Sequence, residues 1–126
     1  MTKLKEVYKC EICGNIVEVL HNGFGELVCC NKTMKLQLEK NVDQGNEKHV
    51  PIIEEINGMT KIRIGSVEHP MEEKHFIEWV EISTEKGYSK KFLSPGEKPN
   101  ALFLTKAKNI KARAYCNVHG LWTTKR

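Results

Sequence analysis

The five cysteines and five histidines of this 126-residue chain fall at spacings that suit metal chemistry. Cys10 and Cys13 form a Cys-x-x-Cys followed by Gly14, and Cys29 and Cys30 are adjacent. Thiolates three residues apart can point at one ion, with a glycine to relieve the turn. Adjacent residues on an extended backbone point to opposite sides, so Cys29 and Cys30 can meet one metal only if the chain twists sharply between them. Four thiolates without an oxygen or nitrogen ligand fit zinc or a single iron. A zinc staple that merely holds a small domain together and a redox iron both satisfy this spacing. A Cys29–Cys30 disulfide is the poorest alternative, because vicinal bridges are strained.

A second group lies further along. His49 stands in EKHVP, His69 and His75 bracket HPMEEKH, and Cys116 and His119 make a Cys-x-x-His in YCNVHG. Four neutral imidazoles and one thiolate exceed what tetrahedral zinc takes. Four imidazoles in a plane with an axial thiolate leave one octahedral position vacant, an arrangement suited to a reactive iron. An axial thiolate pushes electron density toward whatever binds opposite it, as in haem-thiolate enzymes. The alternative is a set of unrelated surface histidines, which is the reading kept for His21, followed by the turn pair Asn22 and Gly23. EKHVP also places Glu47 and Lys48 beside His49, either as ordinary solvated charges or as working groups.

The elements that must position these groups read as β-structure throughout. VYKC, IVEVL, ELVC and MKLQL are short β-type segments punctuated by CGN, HNGFG and CNKT, a metal-stapled unit too small for a core of its own. The polar stretch NVDQGNEK marks a boundary near residues 38 to 45. Beyond it VPIIEEI, TKIRIGS, HFIEWVEIS, GYSKKFL, ALFLTKA, IKARAY and LWTT recur between the turn signals NG, EKG and SPGEKPN. About seven short strands at this spacing predict a β-sandwich of immunoglobulin-like type, whose strand ends would bring the distant histidines to one rim. The predicted fold is therefore all-β, with domains at 1–38 and 39–126.

Composition narrows the function classes. At 40% hydrophobic and 29% charged residues the chain reads as globular, with no membrane-spanning run. MTKLKEVYKCE has no apolar segment for a signal peptide, so the expected location is the cytoplasm, where thiols serve metals rather than disulfides. The net charge of +4 is spread among acidic residues, which argues against nucleic-acid binding.

With these residues in view, the sequence resembles the desulfoferrodoxins, the two-iron superoxide reductases. The resemblance runs along essentially the whole chain, through YKCEICGNIVEVL, ELVCCN, EKHVP, GSVEHPMEEKHFIEW, KKFLSPGE and AYCNVHG. It implies a desulforedoxin-like domain whose Cys10, Cys13, Cys29 and Cys30 hold one iron. It implies an immunoglobulin-like catalytic domain where His49, His69, His75 and His119 bind a second iron equatorially and Cys116 binds it axially. The implied activity is one-electron reduction of superoxide to hydrogen peroxide, fed by a rubredoxin-like donor, in a homodimer. Lys48 would attract the anion, and Glu47 would be the mobile carboxylate that closes the sixth position in the ferric state. An electron carrier and a zinc-stapled binding module are the competing classes; a carrier gains nothing from a vacant coordination position.

Overall fold

In a computed structural model, residues 1–43, 48–106 and 108–125 are described. They form β-strands and no helix, divided between two compact units, Met1–Leu38 and Glu39–Arg126. Among the described residues no helix is long and apolar enough to cross a membrane.

The first unit holds β1 (Val7–Lys9), β2 (Ile16–Glu18), β3 (Val28–Cys29), β4 (Lys32–Thr33) and β5 (Lys35–Leu36). A three-stranded sheet runs β2-β1-β5, and β3 and β4 form a separate hairpin. Its buried apolar residues are few, Val7, Val19 and Met34 beside Cys10, while Leu4, Ile12, Leu20, Phe24 and Val28 are exposed. So small an apolar interior supplies little folding free energy, and a bound metal would supply much of the remainder. The β4 segment lies in CNKT, which the sequence pattern assigns to a turn.

The second unit is a sandwich of two antiparallel sheets. One has the order β10-β7-β6, from β6 (Pro51–Ile56), β7 (Met59–Ile64) and β10 (Asn100–Phe103). The other has the order β12-β11-β8-β9, from β8 (Ile77–Thr84), β9 (Gly87–Phe92), β11 (Lys111–Cys116) and β12 (Gly120–Lys125). Alternation decides which side chains enter the core. Thr60, Ile62 and Ile64 of β7 are buried, and Ala112, Ala114 and Cys116 of β11 line the core side of the other sheet next to Val80 and Ile82 of the paired strand β8. The β6–β7 hairpin turns at Asn57 and Gly58, with φ of 51° and 77°. These are the left-handed values a two-residue turn matched to strand twist requires.

One irregularity matters for the site. Along β8 and β11 the register passes from Trp79↔Tyr115 to Ile77↔Cys116, so β8 accommodates one extra residue, Glu78. Without this bulge Ile77 would share the face of Trp79; with it, both Ile77 and Cys116 join the core side. On the opposite face Trp79 stacks on Tyr115, centroids 4.6 Å apart, beside the buried pair Arg113–Glu81.

Candidate metal centres

In the first unit the four thiols converge. All five cysteines are free, and one sulfur from each of Cys10, Cys13, Cys29 and Cys30 lies within 4.8 Å of the others. The Cys13 and Cys29 sulfurs are 3.6 Å apart and those of Cys29 and Cys30 4.0 Å. A tetrahedron with metal–sulfur bonds of about 2.3 Å has edges of about 3.8 Å, so the thiols fit one ion. The twist expected between the vicinal cysteines is present, with φ of 54° at Cys30 and 60° at Asn31. Left-handed backbone there turns the second thiol to the side of the first. The N–H of Cys13 donates to the Cys10 sulfur at 3.5 Å, and that of Asn15 to the Cys13 sulfur at 3.5 Å. The Cys13 N–H, followed by that of Ile12, brings the Cys10 thiol down to about 6. Hydrogen bonding to Cys13, then Cys10, lifts Cys30 to about 12, and Cys29 is raised chiefly by Cys13. Metal binds cysteine as the thiolate, so loading the four thiols releases protons.

In the second unit each histidine sits where a strand meets a loop. His49 lies two residues before β6, His69 lies between β7 and β8, His75 lies two residues before β8, and His119 immediately precedes β12. Cys116 is the last residue of β11. The rings of His49, His69, His75 and His119 form a closed circuit, with successive centroids 4.7, 4.8, 5.1 and 4.6 Å apart. His49 and His75 are 6.4 Å apart, longer than any side, as a diagonal must be. The Cys116 sulfur lies 3.8 Å from Nδ1 of His119, and donor atoms of His49, His75, Cys116 and His119 fall within 4.8 Å of one another.

Hydrogen bonds to oxygen acceptors set which nitrogen of the His69 and His49 rings is available. Nδ1 of His69 is 2.7 Å from the Pro70 carbonyl, which can only accept, so Nδ1 carries the proton and Nε2 the lone pair. Nε2 of His69 and of His75 are buried and have no hydrogen-bond partner among the described residues, which is costly for polar atoms unless a metal takes the lone pair. Burial pushes His69 down to about 4, so it is neutral near pH 7, as a ligand must be. His49 has Nδ1 3.3 Å from the Asp43 carboxylate, and its ring stacks on Trp122 at 4.6 Å and 15°. The His119 N–H donates to the Cys116 sulfur at 3.4 Å, the contact expected of a Cys-x-x-His turn. Four imidazoles and one thiol in this arrangement suit a single non-haem iron with an open position.

Three supporting residues escape a reading of ligand spacing. Asp43 belongs to the polar stretch taken as a boundary, and Trp122 to a run read only as a strand. Asn117 ties the Cys116 turn to the His75 side: its Oδ1 accepts the Phe76 N–H at 2.9 Å, and its Nδ2 donates to the Lys74 carbonyl at 3.1 Å. A carboxylate and an amide within a few residues of ligands are the signal available for the first and last. Lys48 is half-buried directly before His49, whereas Glu47 lies outside the described residues.

An all-β chain with a tetrathiol knot in one unit and an imidazole quartet with a thiol in the other defines a protein of two mononuclear metal centres. The Desulfoferrodoxin family model matches residues 41–125, and that of the Desulfoferrodoxin, N-terminal domain matches residues 2–37. Desulfoferrodoxin of Desulfarculus baarsii is 55% identical over 122 residues, covering 97% of each chain. Among solved structures, the superoxide reductase of Treponema pallidum superposes with a TM-score of 0.78 at 26% identity, covering 94% of this chain and 96% of that one. The one-iron superoxide reductase of Giardia intestinalis is 35% identical with a TM-score of 0.55, covering 64% of this chain and 98% of its own. The chain belongs to the desulfoferrodoxin family, and its two clusters match the two iron centres of that family.

Proposed function

We propose that the protein is a superoxide reductase, catalysing the one-electron reduction of superoxide to hydrogen peroxide with uptake of two protons. The observation that carries this reading is the closed circuit of four imidazoles with the Cys116 thiol beside it. In this reading residues 39–126 are the catalytic domain, in which His49, His69, His75, His119 and Cys116 would hold the iron. Residues 1–38 are the tetrathiolate domain, held by Cys10, Cys13, Cys29 and Cys30. The four histidines and Cys116 would hold an iron whose one-electron chemistry would serve the reduction.

The chain's own residues then have distinct tasks. Cys116, buried at the end of β11, supplies negative charge from the core side. The His119 N–H moderates that charge by donating to the sulfur. Lys48, beside His49, attracts the anionic substrate, as a cation near a small charged ligand does over about a Debye length. Glu47 is assigned on the sequence alone as the neighbouring carboxylate that guards the same position. Electrons come from a rubredoxin-like carrier, the location is the cytoplasm and the assembly is a homodimer; family membership and five free thiols support this reading.

The test is the product balance. Iron-loaded protein with a reductant is exposed to superoxide by pulse radiolysis, and peroxide and dioxygen are both measured. The expected result is one peroxide per superoxide with no dioxygen. Dioxygen release in dismutase proportion would overturn the reading.

A further inference from the structure

We infer that Asp43 is a positioning residue for the second metal centre: one carboxylate fixes the tautomer of His49 and clamps the backbone that carries Lys48 and His49. Oδ1 accepts the His49 N–H at 2.8 Å, with Oδ2 at 3.1 Å, and Oδ2 accepts the Val50 N–H at 3.0 Å. Oδ1 also faces Nδ1 of the same histidine at 3.3 Å. The carboxylate therefore holds ring and backbone of one residue together, which a neutral acceptor on a single lone pair could not do.

Two consequences follow for the ring. A carboxylate only accepts, so the His49 proton stays on Nδ1 and the lone pair on Nε2. Negative charge at Nδ1 also raises the basicity of Nε2, as carboxylate partners of metal-binding histidines do. His49 is only 2% exposed, so its contact with the carboxylate is little screened on the ring side. On the other flank of the turn, the Gly65 N–H donates to the Val50 carbonyl at 3.2 Å. Asp43 and Gly65 thus hold His49–Val50 from two sides. The Trp122 plate leaves the His49 ring little rotational freedom.

This inference rests on the reading of the histidine cluster as a metal centre, and cobalt binding separates the two. Co(II) affinity at the second centre is measured by chelator competition, following the sulfur-to-cobalt band that Cys116→Ser removes. Asp43→Asn, which keeps the shape and one acceptor oxygen, and Asp43→Ala are compared with wild type. Loss of the carboxylate is expected to weaken Co(II) binding there about 10- to 100-fold, with the tetrathiolate cobalt band unchanged. Nitrogen-15 spectra of zinc-loaded protein are expected to show His49 protonated on Nδ1 in wild type and a changed Nδ1 shift in Asp43→Asn. Wild-type Co(II) affinity in folded Asp43→Asn, even with a lowered denaturation midpoint, would leave Asp43 a structural clasp only and overturn the inference. Wild-type protein without a Cys116-dependent cobalt band would overturn the metal-centre reading as well.

Discussion

Gly65→Ala tests whether the loop bearing Lys48 and His49 is held by close backbone packing. Gly65 has φ of +81°, and a Cβ there would sit 2.4 Å from the Lys48 carbonyl oxygen, 2.6 Å from that of Val67 and 2.9 Å from the Lys48 carbonyl carbon. All three atoms are backbone, so relief requires moving the chain next to His49. The left-handed conformation alone costs an alanine about 1–2 kcal/mol. Forcing a methyl into occupied space adds about 1–3 kcal/mol, for a total of roughly 2–5 kcal/mol. Gly58 provides the control. Its φ is +77°, but a Cβ there meets nothing within 4 Å, so Gly58→Ala carries the conformational cost alone. Urea denaturation of the metal-free variants should therefore rank Gly65→Ala below Gly58→Ala by about 1–3 kcal/mol. The displacement of His49 should also weaken Co(II) binding at the second centre in Gly65→Ala and not in Gly58→Ala. Equal stabilities, with equal cobalt affinity, would show that the loop yields freely and that Gly65 does not set the position of Lys48.

Three further outcomes are expected. Cys13→Ser should abolish the tetrathiolate iron spectrum and lower the stability of the first unit while leaving superoxide reduction largely intact; loss of turnover with the histidine iron still present would refute the independence of the two centres. In Cys116→Ser the sulfur-to-iron charge-transfer band and most of the activity should disappear, and survival of that band would show that another atom is the axial ligand. Lys48→Ile should slow superoxide consumption and flatten its dependence on ionic strength in stopped-flow or pulse-radiolysis measurements, because steering by a single cation is screened beyond about 10 Å at 0.1 M salt; a wild-type rate at low salt would reduce Lys48 to a solvated side chain.

Much of this architecture is legible in the sequence because it rests on period-2 alternation and turn residues. All seven β-type runs after residue 48 contain strands, and Asn57–Gly58 closes the hairpin that the NG pair predicts. The convergence of the histidines at strand ends is legible as well, since a sandwich gathers its loops at its rims. The β8 bulge is not, because a single extra residue in a run such as HFIEWVEIS leaves the hydrophobic pattern intact while changing which face Ile77 occupies. The role of Asp43 is hidden for a different reason. Its partners are backbone N–H groups at positions 49 and 50, and backbone donors leave no trace in residue type. Trp122 is hidden because an aromatic residue in a strand is ordinary, and only the fold places it on His49.

The bulge also bears on why a sandwich can present a thiolate and four imidazoles to one ion. The imidazoles come from loops, which can adjust, but Cys116 ends a central strand flanked on both sides, paired with β8 and β12. Its sulfur must leave the core side at the rim, and strand geometry alone offers only two faces. Alternation from Ala112 and Ala114 puts Cys116 on the core face, and the extra residue in β8 keeps Ile77 opposite it rather than a polar neighbour. The thiol is thereby backed by apolar packing, which excludes water from the side away from the histidines and leaves the His119 N–H as a donor to the sulfur. Regular pairing without the bulge would place Glu78 rather than Ile77 opposite Cys116. The sulfur would then face a carboxylate or water, and its electron donation would fall with the added hydrogen bonds. In the proposed function, the sulfur's electron donation would depend on strand register as well as on the cysteine itself.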